Sequence, residues 1–181
     1  MDVKEILKRS LNESWGYLTK ATDGLTQEEI AWAPAPHCNS IAFILWHTAR
    51  VEDVWINSVI QNTTWVYTDQ GWRERLGIPA REMGFGYTEE QLKAWPVPKL
   101  EDLLGYASAV HENTLAFLES LTPEQLLEVP RDDRPDETTG SILAHLITEI
   151  ALHTGQIDYL RGVQRGLETS RGSNWAKEAG G

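Results

Sequence analysis

Four long stretches of this chain place apolar side chains at helical spacing, and a run crowded with glycine and proline separates the second stretch from the third. Side chains three and four apart share one face of an α-helix, so each stretch presents an apolar stripe that must be buried against another helix. The first stretch predicts a helix from about Asp2 to Thr22, with Val3, Ile6, Leu7, Leu11, Trp15 and Leu18 on its stripe and Gly24 as its stop. The second begins near Asn39–Ser40 and reaches about Val59, burying Ile41, Ile44, Leu45, Thr48, Val51 and Trp55. The third spans roughly Lys99–Ser120 and the fourth roughly Thr138–Arg165. Between the first two, Thr26 caps a short turn, Glu29 completes a capping box, and Pro34 and Pro36 end it.

Residues 62–98 hold Gly71, Gly77, Pro79, Gly84, Gly86, Pro96 and Pro98 among Trp65, Tyr67, Trp72, Phe85, Tyr87 and Trp95. That punctuation excludes a long helix, and the aromatic residues argue against simple disorder. The reading is an ordered crossover with at most short helices, long enough to join parallel neighbours and shape a pocket. GLTQEEIAWAP (24–34) is echoed by SLTPEQLLEVP (120–130), each lying between two long helices. Two helix-turn-helix halves joined by the crossover predict an all-α fold, a four-helix bundle with approximate two-fold pseudosymmetry, as a single domain over 1–181.

The formal net charge of −11 repels phosphate backbones and anionic lipid, which argues against nucleic acid and membrane as partners. The apolar runs are interrupted too often to span a bilayer. The amino terminus MDVKEILKRSLNESW is amphipathic, without the apolar core of a signal peptide, and reads as the first helix of a cytoplasmic protein. A single cysteine, Cys38, leaves no internal disulfide and fits a reducing compartment. Eight tryptophans suit a core, a pocket wall or an oligomer interface.

The fourth stretch, GSILAHLITEIALHTGQIDYLRG (140–162), carries His145, Glu149 and His153 at successive steps of four. Residues so spaced stack on one helical face and can point at one ion from a rigid platform. In the bundle, His47 on the second helix faces Glu149 and His153 across the core, and three N/O donors with an open position are how a catalytic divalent metal is commonly held. The drift of a straight helix excludes all three fourth-helix residues as equal ligands, so His145 reads as pocket wall or plain core. Glu52 and Asp53 either orient a ligand through its second ring nitrogen or form a solvated face. His37 and His111 read as surface residues.

The run WHTARVEDVW (46–55) together with HLITEIALHTGQI (145–157) resembles the DinB-like superfamily of bacterial metalloproteins, which includes transferases and isomerases dependent on mycothiol or bacillithiol. The resemblance covers nearly the whole chain. It implies an up-down-down-up four-helix bundle, often a homodimer, binding zinc or a nickel-like divalent ion. It assigns the metal ligands to His47, Glu149 and His153, the last followed by Thr154-Gly155-Gln156. Where many members have a middle histidine this chain has Glu149, as the similar mycothiol-dependent maleylpyruvate isomerases do, and a carboxylate there favours zinc.

Three functions follow as expectations. The first is a metal-dependent S-transferase, in which a low-molecular-weight thiol is the co-substrate, an electrophilic small molecule is the acceptor, and His145 or Gln156 orients the reactants. The second is a metal-dependent hydrolase with Glu52 or His145 as base. The third is a non-catalytic metal-binding or interaction bundle.

Overall fold

Side-chain caps start three of the four long helices. In the computed structural model, which describes residues 2–166, α1 (Val3–Thr22) opens where Asp2 accepts the Glu5 amide. The short α2 (Gln27–Ala31) opens on the expected Thr26/Glu29 capping box. Ser40 caps α3 (Ile41–Asp53) by accepting from the Phe43 amide, and Thr138 caps α8 (Thr139–Arg165) by accepting from Ser141. Between them come α4 (Val66–Asp69), α5 (Trp72–Leu76), α6 (Glu89–Ala94) and α7 (Leu100–Ser120). Every regular element among the described residues is helical. Neither terminus of the expected domain, Met1 or 167–181, lies within them. No described helix is long and apolar enough to cross a membrane.

The long helices α1, α3, α7 and α8 surround one core. α1 packs chiefly on α8 and α3 chiefly on α7, while α3 also lies along α8. Exchanging the two halves of the chain reproduces the first two pairings, as the internal echo requires. The echo is not carried into detail, since residues Gln125–Leu127 form a 3-10 turn where the first half has α2. The stripe of α1 begins at Leu7; Val3 and Ile6, expected to be buried, are exposed.

The second predicted helix differs most. All thirteen residues of α3 are buried, not one stripe of them, and the helix continues through Val54–Ile60 with π-helical hydrogen bonding. α7 and α8 cover two sides of it, and α2 and the crossover element α4 also pack on it. Burial on all sides is ordinary for an apolar helix but costly for Arg50, Glu52 and Asp53, which must find partners inside the protein.

Arg50 and Asp53 find them by pulling the crossover inward. The Asp53 carboxylate accepts from the amides of Val66 and Tyr67, from Asn57 Nδ2 and from the Tyr106 hydroxyl, each at 2.9 Å. Arg50 Nη1 lies 3.4 Å from the same carboxylate, and its Nη2 donates to the Ala80 carbonyl at 2.9 Å. The guanidinium packs over the Trp65 and Tyr67 rings at 4.8 and 4.6 Å. Burial pushes the Tyr67 hydroxyl up to about 12 and that of Tyr106 well above its ordinary value, so both remain donors. Tyr67 then donates to the Ile78 carbonyl at 2.7 Å. One buried ion pair thus ties residues 65–80 to α3. Gly105 of α7 admits the Trp72 ring, which would stand 2.8 Å from any Cβ placed there.

Candidate metal centre

α3 and α8 bring His47 and His153 together. Their rings meet edge to face, 5.0 Å between centroids at 87°. His47 is buried; its Nδ1 stands 2.5 Å from the carbonyl oxygen of Met83, which can only accept, so Nδ1 carries the proton and Nε2 keeps its lone pair. Burial, and secondarily the neighbouring His153, hold the His47 pKa below its ordinary 6.5, against the raising effects of the Met83 bond and Glu149. The ring is therefore neutral at neutral pH, the state in which imidazole ligates a metal.

His153 repeats the arrangement. Its Nδ1 donates to Gln156 Oε1 at 3.0 Å, one helical turn on. Its Nε2 is buried and has no hydrogen-bond partner. Glu149 Oε2 lies 3.4 Å from that nitrogen. Two acceptors facing each other with nothing shared between them repel, so the pair calls for a proton or a cation. A proton suits the gap poorly, because N–H···O bonds span about 2.7–3.2 Å. A cation suits it well, because donors roughly 2.0–2.1 Å from a tetrahedral centre stand about 3.4 Å apart.

The donor chemistry and the orphaned Nε2 thus fit a divalent ion. The third arm is not drawn in: among the described residues, no group of three His, Cys, Asp or Glu side chains is placed as it stands to hold a metal. His145 lies on the outer side of Glu149, with Nε2 3.6 Å from Oε1 and its side chain 54% exposed, against 27% for Glu149. The Trp55 ring covers one flank of it at 6.2 Å.

The crossover supplies the wall. Phe85 stands perpendicular to the His47 ring at 5.0 Å yet is 68% exposed, and Phe43 stacks nearly parallel to it at 6.5 Å. Gly84 lets the backbone come this close: its φ is +82°, and a Cβ there would sit 2.9 Å from His47 Nδ1. Met83 and Gly84 escaped the sequence reading, since a backbone carbonyl has no residue signature. The flanked aromatic Gly84-Phe85-Gly86 was the available clue.

Three residues are relocated. Glu52 and Asp53 neither orient His47 nor form a solvated face; both are fully buried, Asp53 as the crossover anchor. Glu52 Oε2 accepts from the Trp15 indole N–H at 3.0 Å on the side of α3 turned away from His47. His111, read as a surface residue, is 13% exposed and lies 3.9 Å from Glu52 Oε1, whereas His37 is exposed as expected.

Burial pushes the Glu52 carboxyl up to about 7, against the lowering effects of Thr114 and Trp15. The folded state then keeps this proton between pH 4.5, the ordinary value, and about 7, where the unfolded chain releases it. Its contribution is fully present below the unfolded value and is lost as pH rises through the window, by at most about 3 kcal/mol. Glu52→Gln should abolish that slope, so urea unfolding at pH 5 and pH 8 should show the variant gaining on the parent at the higher pH. Equal pH dependence in the two proteins would refute the assignment.

A model of the DinB superfamily matches residues 10–157. The fold is similar to a crystal structure described as the conserved protein of a locus from Enterococcus faecalis, with 25% sequence identity and a TM-score of 0.79, covering 90% of this chain and 96% of that one. No curated protein matches the sequence.

Proposed function

The chain belongs to the DinB superfamily, and from that premise we propose that His47, Glu149 and His153 hold one divalent cation, with which the protein joins a low-molecular-weight thiol to an electrophilic small molecule. The observation that carries the reading is the buried, unpartnered Nε2 of His153 facing Glu149 at 3.4 Å. Zinc suits two imidazoles and a carboxylate, with nickel as the alternative a metal analysis distinguishes. The bundle is threaded up-down-down-up as one domain, and the exposed Leu152, Tyr159 and Val163 along α8 support a homodimer.

Bound there, the cation supplies Lewis acidity that favours the thiolate form of a thiol at neutral pH. The chain does the rest. Met83 and Gln156 fix the tautomers of His47 and His153, leaving both Nε2 atoms free to ligate. His145 Nε2, exposed beside Glu149, accepts the proton that the thiol gives up and passes it to solvent. Phe85, Phe43 and Trp55 offer apolar faces to the electrophile and keep water from the sulfur. The sulfur electron pair forms the new C–S bond, and the leaving group departs with its own pair. Gln156, whose Oε1 is engaged by His153, acts as a positioning residue.

The test is metal analysis of protein purified without a histidine tag, followed by assay with a chlorodinitroarene and bacillithiol or mycothiol. One ion per chain and thiol-dependent chloride release are expected. Loaded protein that turns over no thiol would overturn the transferase reading, and ester cleavage without thiol would favour the hydrolase.

A further inference from the structure

Glu52 lies five residues after His47, which turns it about 140° around α3 and away from the metal centre. On that side a cavity of about 530 Å³ opens between α1 and α7. Trp15, Leu100 and Leu104 give it an apolar body, and Asn12, Ser108 and His111 a polar edge. Gly16 belongs to its lining, and a Cβ added at Gly16 would meet nothing within 4 Å.

Behind this wall buried polar atoms are poorly matched. Glu52 Oε1 has the Thr114 hydroxyl beside it, which lowers its pKa, and His111 Nδ1 at 3.9 Å, beyond hydrogen-bond distance, so that Nδ1 is left without a partner. Such groups are rare in folded proteins, and each calls for an explanation. The other nitrogen of His111, Nε2, approaches Asn12 Oδ1 at 3.5 Å on the cavity side, too far for a good bond. The Trp15 ring lies 4.9 Å from the imidazole, and its N–H is already committed to Glu52. A carboxyl behind one ring nitrogen, with the other nitrogen towards a cavity, forms a dyad that a ligand can complete.

We propose that this cavity binds a small molecule with a flat apolar body and an amine head, the amine donating to His111 Nε2. That bond favours the tautomer with the proton on Nδ1, which then donates to Glu52 Oε1 once the gap closes by roughly 0.7 Å. One ligand contact thus gives the orphaned Nδ1 a partner and Glu52 Oε1 a further donor. Asp23 is the one charged residue among those lining the cavity, and no lysine or arginine lines it, so an anion finds no counter-charge there. The volume suits a ligand of drug-like size.

Tryptamine is the probe, with indoleacetate as its anionic counterpart. Followed by nitrogen-15 NMR, tryptamine should shift the Trp15 indole N–H and both His111 ring nitrogens saturably, and bind at least about tenfold more tightly than indoleacetate. Gly16→Leu puts a side chain into the cavity and replaces glycine with a better helix former, so the fold is retained. It should remove the response without changing metal content. His111→Phe should weaken binding while leaving the Trp15 signal in place. Shifts that persist in Gly16→Leu, indoleacetate binding as tightly as tryptamine, or no saturable shift with tryptamine would each overturn the proposal. Metal loading, read separately, reports on the other site.

Discussion

Alanine at His153 is expected to lower divalent-cation affinity at least about a hundredfold, beyond the ~10–100-fold that loss of an outer-shell partner costs. The side chain contributes little to the core beyond its ring contact with His47, so far-ultraviolet circular dichroism should be unchanged. Thermal stability separates a metal role from a structural one. An ion that binds only the folded state at about a hundred times its Kd adds about 2.7 kcal/mol, so added zinc should raise the parent melting temperature and not that of the variant. His47→Ala should behave alike. Gln156→Ala, which frees the His153 ring without deleting it, should fall between. Gly84→Val drives a side chain against His47 Nδ1 and should also weaken binding while both imidazoles remain. Undiminished, stoichiometric zinc binding by His153→Ala would remove the basis of the metal centre.

The second large effect is expected at Asp53, far from any reacting atom. Asp53→Ala strips four hydrogen bonds and leaves the Arg50 guanidinium buried without its counter-charge. Breaking a buried pair from one side costs about 3–5 kcal/mol. At this chain length that corresponds to a melting temperature lower by roughly 10 °C. Protease cleavage should appear first within residues 65–80, since Asp53 holds that segment. Pairing the change with Arg50→Met should restore part of the loss, because a buried charge without a partner is worse than none. A loss under about 1 kcal/mol, the size of an ordinary surface change, would show that the anchor is not energetic.

Helix starts were legible because capping is local: Ser40, Thr138 and the Thr26/Glu29 box each act within three residues of themselves. The Glu149/His153 pair was legible as a pattern because a helix fixes the spacing of four, and the structure brings His153 to within 3.4 Å of Glu149 and into ring contact with His47. The environment of α3 was not. Arg50, Glu52 and Asp53 have the spacing and charge of a wet face, and only the crossover folding back over them makes them interior. His111 was misread for the same reason, its neighbours being Trp15 and Glu52, 96 and 59 positions away in the chain. Short-range periodicity reports which side chains share a face, and carries nothing about what a distant segment later lays across it.

The way residues 65–80 are tied to α3 bears on any attempt to transplant the crossover wall onto another bundle. Copying the crossover with its Gly84 turn and Phe85 would leave it untethered unless the recipient helix also brings an arginine and an aspartate three positions apart, with a tyrosine hydroxyl opposite. A graft of the loop alone should dangle, and one that imports the helix with it should seat.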